Sequence, residues 1–183
     1  TIGRLVPERE FAELAAPLTL TAVDVDTREL LTLGDGGLQM PLLDALAATT
    51  ALPVYYPPAE VGGRRLVDGG LRAVLPLDIA AGFPADLVVA VDVGPGFDEP
   101  APKRKLRGPG LLLAHDTCEG VLMAQQAADT LARWRSTPGR CRLIHVRPPL
   151  PRSATFAAEL FAEFERAGYD TTRAALAEVQ RHD

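Results

Sequence analysis

One short stretch of the sequence places a carboxylate and two glycines at the end of an apolar, strand-like segment. Leu66 and Val67 are followed by Asp68, Gly69 and Gly70. Open α/β sheets bind their ligands beyond the carboxyl ends of the strands, and glycine lets the backbone turn beside a carboxylate. A carboxylate in that place could act as a general base. The alternative is a structural turn, because Asp often ends a strand in this way.

A second group of residues offers the ligand types that metal ions use. On a helix, His115 and Glu119 would be one turn apart and could share an ion, with Asp116 and Cys118 between them. The same helix, however, has a polar stripe that contains both His115 and Glu119. We therefore predict a solvated polar face, a buried thiol and no metal. The apolar stripe comprises Leu111, Ala114, Cys118, Val121 and Leu122.

The sequence offers no typical serine nucleophile. A Gly-x-Ser-x-Gly elbow is absent, and neither Ser136 nor Ser153 has flanking glycines. Thr1 could be an N-terminal nucleophile, because a free α-amine can act as the base for its own hydroxyl, but the residues after it are only weakly strand-like. His145 lies in a strand-like segment and is interpreted as a core or edge histidine. A base at Asp68 would therefore need a nucleophile from elsewhere.

The elements that must position these residues alternate between strands and helices. β-Branched and alternating patterns predict strands over residues 18–25, 30–33, 64–67, 85–93 and 141–146. Helices are predicted over residues 8–16, 41–50, 75–81, 111–135, 154–166 and 170–182. This order predicts an α/β architecture with a mainly parallel sheet. The apolar run at 85–93 predicts a strand that is buried on both faces.

Two segments rich in proline or glycine predict irregular structure. Residues 52–58 contain three prolines and are expected to form a stiff loop. Residues 94–110 predict a mobile loop, and the basic run at 103–107 lies inside it. That run is interpreted as a solvated segment, and contact with anionic lipid headgroups is the alternative.

The composition of the 183 residues excludes several classes of protein. A hydrophobic share of 47% and a charged share of 23% are typical of a globular chain. The net charge of −5 gives no electrostatic basis for binding nucleic acid. The two cysteines cannot form a disulfide scaffold, and no apolar run approaches the roughly 20 residues of a membrane helix. We expect a cytoplasmic protein, with peripheral contact with a membrane left open.

Several segments, in this order, resemble the C-terminal half of patatin-like phospholipases, in particular the bacterial patatin-like serine esterases. Residues 11–25 resemble the family's helix and the strand that ends in Ala-Thr-Asp. Residues 45–58 are similar to its segment with Ala-Leu-Pro and Phe-Pro-Pro. Residues 63–71 resemble the Asp-Gly-Gly segment that is the family's hallmark, and residues 85–93 are similar to its Ala-Asp-x-Val-Ile-Ala-Val-Asp-Val strand.

This resemblance implies a three-layer α/β/α fold with a mainly parallel sheet, of which residues 1–183 would be the C-terminal part of a single domain. It also implies that lipid or other carboxylic esters are hydrolysed by a Ser–Asp dyad, without a cofactor. Asp68 would be the general base, within the motif Asp68-Gly69-Gly70. The serine and the glycine-rich oxyanion loop would lie in an N-terminal half. That half would be the partner of this chain, and the chain alone is expected to be inactive.

The proline-rich loop is expected to line the acyl site. Leu52, Val54, Tyr55 and Tyr56 would present an apolar, pre-formed wall to a fatty acyl chain. The alternative is that these side chains pack the domain core. The family commonly has a glycine where this chain has Val54. The alternative function is a non-catalytic module that binds lipid or regulates and has kept the fold without the chemistry.

Overall fold

The computed structural model describes residue 4 and residues 6–97, 110–150 and 160–180. Within these ranges the chain forms two compact units, one ending at Val74 and the other beginning at Leu75. The alternative nucleophile at Thr1, the basic run at 103–107 and most of the loop predicted at 94–110 lie outside the described residues.

The first unit is built on a four-stranded sheet. Its strands are β1 (Thr19–Asp24), β2 (Leu30–Gly34), β3 (Ala59–Val61) and β4 (Arg64–Asp68). They lie in the order β2-β1-β4-β3, and every neighbouring pair is antiparallel. The prediction of a mainly parallel sheet is therefore wrong for this unit. The short turns between β1 and β2 and between β3 and β4 explain the difference, because parallel strands need a much longer crossover connection.

One helix packs against this sheet. Helix α1 spans Leu42–Thr49 and follows Pro41, whose fixed φ suits the start of a helix. The hydroxyl of Thr49 donates to the carbonyl oxygen of Thr21 at 2.7 Å, which ties the end of α1 to β1. The helix predicted over 8–16 is limited to one 3-10 turn, Phe11–Glu13. The buried core consists of Phe11, Ala22, Leu33, Leu42, Ala45, Ala48 and Leu66.

The second unit contains a pair of parallel strands, as predicted. Strand β5 (Leu87–Val91) pairs with β6 (Arg142–Val146), and the crossover between them includes the long helix α3 (Gly110–Ser136). Two further helices are α2 (Leu77–Ala80) and α4 (Phe161–Gln180). No helix among the described residues combines the length and the apolar character needed to span a membrane.

The core of the second unit is formed by residues of α3, of β5 and of the segment where α2 begins. It consists of Leu75, Leu77, Ala90, Ala127, Leu131 and Trp134. The indole N–H of Trp134 donates to the carbonyl oxygen of Cys141 at 3.3 Å. This hydrogen bond satisfies the polar atom of a buried tryptophan and links the end of α3 to the start of β6.

Strand β5 is not covered on both faces by the described residues. Leu87, Val89, Val91 and Val93 are exposed, whereas Ala90 is buried. Successive side chains of a strand point to opposite faces, so these four residues form one exposed apolar face. The prediction that residues 85–93 are buried on both faces is therefore wrong for this structure.

Helix α4 passes through the predicted break at Gly168 without interruption. The sequence predicted separate helices over 154–166 and 170–182, and residues 154–159 lie outside the described part of the chain. The hydroxyl of Thr172 donates to the carbonyl oxygen of Gly168 at 2.7 Å, one turn earlier in the same helix. A glycine costs a helix only about 1 kcal/mol relative to alanine, which is too little to end a helix of this length.

Candidate active site

Asp68 is the last residue of β4 and the cap of a 3-10 turn over Gly69–Leu71. Its main-chain N–H donates to the carbonyl oxygen of Ala51 at 3.1 Å. One carboxylate oxygen, Oδ1, accepts the N–H of Gly70 at 2.7 Å. The side chain is half-buried, and among the described residues no group donates a hydrogen bond to Oδ2. The carboxylate is therefore held by one oxygen and presents the other.

The two glycines after Asp68 are required for different steric reasons. A Cβ on Gly69 would overlap the hydroxyl oxygen of Thr21 on the neighbouring strand β1. A Cβ on Gly70 would lie 3.0 Å from Oδ1 of Asp68. Gly69 therefore allows β1 and the turn to approach each other, and Gly70 leaves room for the carboxylate.

The proline-rich loop over residues 52–58, hereafter the apolar loop, begins beside Asp68. The carbonyl oxygen that accepts the N–H of Asp68 belongs to the residue directly before the loop. The loop closes into a turn in which the N–H of Tyr56 donates to the carbonyl oxygen of Leu52 at 2.9 Å. Leu52 and Tyr55 are half-buried, whereas Val54 and Tyr56 are 60% and 57% exposed. The structure thus brings the start of the loop to Asp68, and it leaves two of the four predicted wall residues at the surface.

Val54 adopts an unusual backbone conformation in this loop. Its φ is +73°, in the left-handed region that a β-branched residue rarely enters. Glycine has no such restriction, and a glycine is common here in the family that the sequence resembles. The loop therefore carries backbone strain at Val54.

Asp24 is a second carboxylate of this sheet, and its hydrogen bonds give it a structural role. It is buried, and its Oδ2 accepts a hydrogen bond from Arg64 at 2.8 Å. Its Oδ1 accepts the N–H groups of Asp26 and Thr27 at 3.0 and 3.3 Å. The hydrogen bond from Arg64 is the main reason that the pKa of Asp24 lies below its ordinary value, and burial opposes it. Both oxygens are engaged, so this carboxylate holds the turn after β1.

The sequence did not predict the pairing of His145 with Asp92. Asp92 follows β5 and is buried, and its Oδ1 accepts the N–H of Gly94 at 2.9 Å. Its Oδ2 lies 3.4 Å from Nε2 of His145 on β6. The parallel register sets Ala90 opposite His145, which brings the next carboxylate along β5 close to the imidazole. The sequence pattern could have indicated Asp92, because it is a carboxylate directly after an apolar strand. It could not show that β6, which carries His145, pairs with that strand.

Helix α3 does not bury the apolar stripe predicted for it. Cys118 is exposed, so the prediction of a buried thiol is wrong. Val121 and Leu122 of the apolar stripe are exposed as well, whereas His115 and Glu119 are half-buried. The described residues that α3 buries are Ala124, Ala127, Leu131 and Trp134, and none of them belongs to the predicted apolar stripe.

The first part of the chain matches a known protein family. Residues 1–81 match the family model of patatin-like phospholipases. The matched range contains Asp68, both glycines after it and the apolar loop. The resemblance predicted from the sequence is confirmed over these residues.

Curated relatives are found among mycobacterial proteins. The chain is 36% identical over 89 residues to a protein of Mycobacterium bovis that is described as an uncharacterized NTE family protein. A Mycobacterium tuberculosis protein with the same description matches equally well. The match covers 49% of this chain and 24% of each relative, so the chain spans about a quarter of the length of these relatives.

Proposed function

We propose that Asp68 is the general base of a Ser–Asp dyad in a hydrolase that cleaves lipid or other carboxylic esters. The observation that carries this proposal is the half-buried carboxylate at the end of β4, held through Oδ1 and presenting Oδ2. The match of residues 1–81 to patatin-like phospholipases supports it. The exposed side chains of Val54 and Tyr56 in the neighbouring apolar loop could contact a substrate.

The proposed reaction assigns a proton transfer to Oδ2 of Asp68. It takes the serine hydroxyl proton while the serine oxygen bonds to the acyl carbon and the carbonyl electrons move to the carbonyl oxygen. When that carbonyl re-forms, the ester C–O bond breaks and the leaving alcohol takes the proton from Asp68. Water then repeats the sequence on the acyl-enzyme and releases the carboxylic acid. A positioned base of this kind contributes about 10²- to 10⁴-fold in rate.

The serine and the oxyanion donors are proposed to come from polypeptide outside this sequence. Neither Ser136 nor Ser153 stands in a Gly-x-Ser-x-Gly sequence, and the hydroxyl of Ser136 donates to the carbonyl oxygen of Arg133 within its own helix. On this proposal the 183 residues are the C-terminal part of one domain, and an N-terminal half completes the site.

The apolar loop is proposed to contact the acyl chain. Val54 and Tyr56 offer exposed apolar area. They follow closely after Ala51, whose carbonyl oxygen accepts the N–H of Asp68. Long acyl chains would contact this surface and short ones would not. Tyr56→Ala is therefore expected to reduce turnover of long-chain esters more than that of short-chain esters. Phe83→Ala, at another exposed aromatic residue, is the matched control, and an equal change in both variants would contradict the role of the loop.

The nucleophile can be identified by covalent labelling of the intact protein that carries this sequence. A fluorophosphonate probe is expected to label one serine outside residues 1–183, and labelling is expected to slow by at least about 10²-fold in Asp68→Asn. Asp44→Asn, at an exposed position of α1, serves as the control. Absence of any labelled serine, together with retained binding of lipid vesicles, would contradict the proposal and support a non-catalytic lipid-binding module.

A further inference from the structure

Three potential metal ligands meet on one side of helix α3. The nitrogen and oxygen ligand atoms of His115, Asp116 and Glu119 all lie within 4.8 Å of one another. His115 Nδ1 is 3.5 Å from Asp116 Oδ1 and 3.8 Å from Glu119 Oε2. The three residues belong to the second and third turns of the helix, beyond the first turn, where the positive end of the helix dipole would repel a cation.

These separations fit an ion better than a hydrogen bond. Nδ1 of His115 is buried and has no hydrogen-bond partner among the described residues, although a buried polar nitrogen normally has one. A nitrogen and an oxygen that ligate one tetrahedral Zn²⁺, each about 2.0–2.1 Å from it, stand about 3.3 Å apart. The observed distances of 3.5 and 3.8 Å would need only small side-chain movements to reach that value.

Two of the three candidate ligands are less exposed than two apolar residues further along α3. Val121 and Leu122 are 56% and 64% exposed, while the side chains of His115 and Glu119 are 32% and 22% exposed. A bound cation would offset the cost of partly burying this imidazole and this carboxylate.

We infer that His115, Asp116 and Glu119 form a binding site for one divalent transition-metal ion. One imidazole nitrogen and two carboxylate oxygens are ligands that suit Zn²⁺. Three protein ligands leave a fourth position open to water. The site lies in the second unit, uses none of the residues of the proposed ester chemistry and stands whether or not that chemistry is correct.

Calorimetric titration of the purified chain, stripped with a chelator, with ZnCl₂ tests the inference. One Zn²⁺ per chain is expected. His115→Ala is expected to raise the dissociation constant by at least about tenfold, since even changes outside the direct ligands of a metal site lower metal affinity by about 10- to 100-fold. Glu119→Gln keeps the shape of the side chain and is expected to weaken binding similarly. It remains informative if His115→Ala fails to fold.

Two control variants separate this cluster from other ligands of the chain. Cys118→Ser removes the exposed thiol one position from Glu119, and His145→Ala removes the imidazole beside Asp92. Neither is expected to change Zn²⁺ affinity, and bound Co²⁺ should give the intense visible absorption of a four-coordinate site. Affinity that is unchanged in both His115→Ala and Glu119→Gln, or that is lost in Cys118→Ser, would overturn the inference.

Discussion

Substitutions at the two glycines after Asp68 test the stability of the turn and the proposed catalysis separately. Gly69→Ala would force a Cβ onto Thr21 of β1, so we expect a loss of about 1–3 kcal/mol in the free energy of unfolding. Gly70→Ala would press on the Asp68 carboxylate. We expect it to cost less stability and to reduce ester turnover by at least about tenfold, since small misplacements of catalytic groups cost up to about 10²-fold.

Urea unfolding of the chain and kcat of the intact protein measure these two effects separately. Full activity of folded Gly70→Ala would show that the position of the carboxylate does not matter. Equal destabilisation by the two substitutions would favour a purely structural role for the Asp-Gly-Gly turn.

Val54 gives a second prediction at this scale. Its positive φ costs roughly 1–2 kcal/mol for a residue with a side chain, and glycine removes that cost at an entropic penalty of about 0.5–1 kcal/mol. Val54→Gly is therefore expected to raise the free energy of unfolding by up to about 1 kcal/mol. Val54→Ala, which removes the same methyl groups but keeps Cβ, is the matched control. If glycine stabilises no more than alanine, the loop is not strained at this position.

At the scale of secondary-structure elements, the turn after β1 depends on one ion pair. Arg64 on β4 lowers the pKa of Asp24, so the folded state favours the charged carboxylate. This stability is present above the unfolded pKa of about 3.9 and is lost as pH falls through the lower folded value. Asp24→Asn is therefore expected to destabilise the chain clearly near neutral pH and much less at an acidic pH below the folded pKa of Asp24.

Urea midpoints at the two pH values measure this difference. Asp44→Asn, which removes an exposed negative charge of α1, is the control for the change in net charge. A destabilisation by Asp24→Asn that is the same at both pH values would contradict the role of the ion pair.

The sequence predicted most elements of the fold but not how they pair. The period-2 pattern placed β1, and the apolar run placed β5, because strand patterns are local. Antiparallel pairing in the first unit depends on the short turns, such as Gly62-Gly63 with φ of 57° and 75°. The prediction of a parallel sheet followed from the alternation of strands and helices and did not take these turns into account. The apolar stripe predicted for α3 is wrong, because the helix buries Ala124, Ala127, Leu131 and Trp134 instead. Which face of a helix packs inward depends on tertiary contacts that a helical pattern does not contain.

The candidate site was predictable to a similar extent. Asp68 and its glycines stood out because a carboxylate followed by two glycines at a strand end is a local pattern. The hydrogen bond from Gly70 to Oδ1 and the positive φ of Val54 depend on the folded backbone, and only the glycine common at the position of Val54 in the resembled family hinted at the second. The pairing of Asp92 with His145 joins residues far apart in the chain and requires the strand register.

At the scale of the whole molecule, the exposed face of β5 predicts self-association of the isolated chain. Leu87, Val89, Val91 and Val93 expose apolar area on one side of the strand, and large exposed apolar patches favour association. The purified chain is expected to form dimers or larger species, and Val89→Lys is expected to shift it toward the monomer. Light scattering after size-exclusion chromatography measures this. A wild-type chain that is monomeric at all concentrations would contradict the prediction.

The same chain is expected to hydrolyse neither short- nor long-chain nitrophenyl esters, because neither of its two serines stands in the Gly-x-Ser-x-Gly sequence expected of the proposed nucleophile. Addition of the separately prepared N-terminal half is expected to restore turnover. Activity of the chain alone that disappears when the Thr1 amine is blocked would instead support an N-terminal threonine nucleophile.

The most direct test of the account is the turnover of Asp68→Asn in the intact protein. Asparagine keeps an oxygen that can accept the N–H of Gly70, so the turn and the melting temperature should be nearly unchanged. It cannot take the proton of a serine, so kcat for ester hydrolysis should fall by at least about 10²-fold, while Asp44→Asn should remain active. Retention of more than about a tenth of wild-type kcat, or a large fall in melting temperature, would contradict the assignment of Asp68 as the general base.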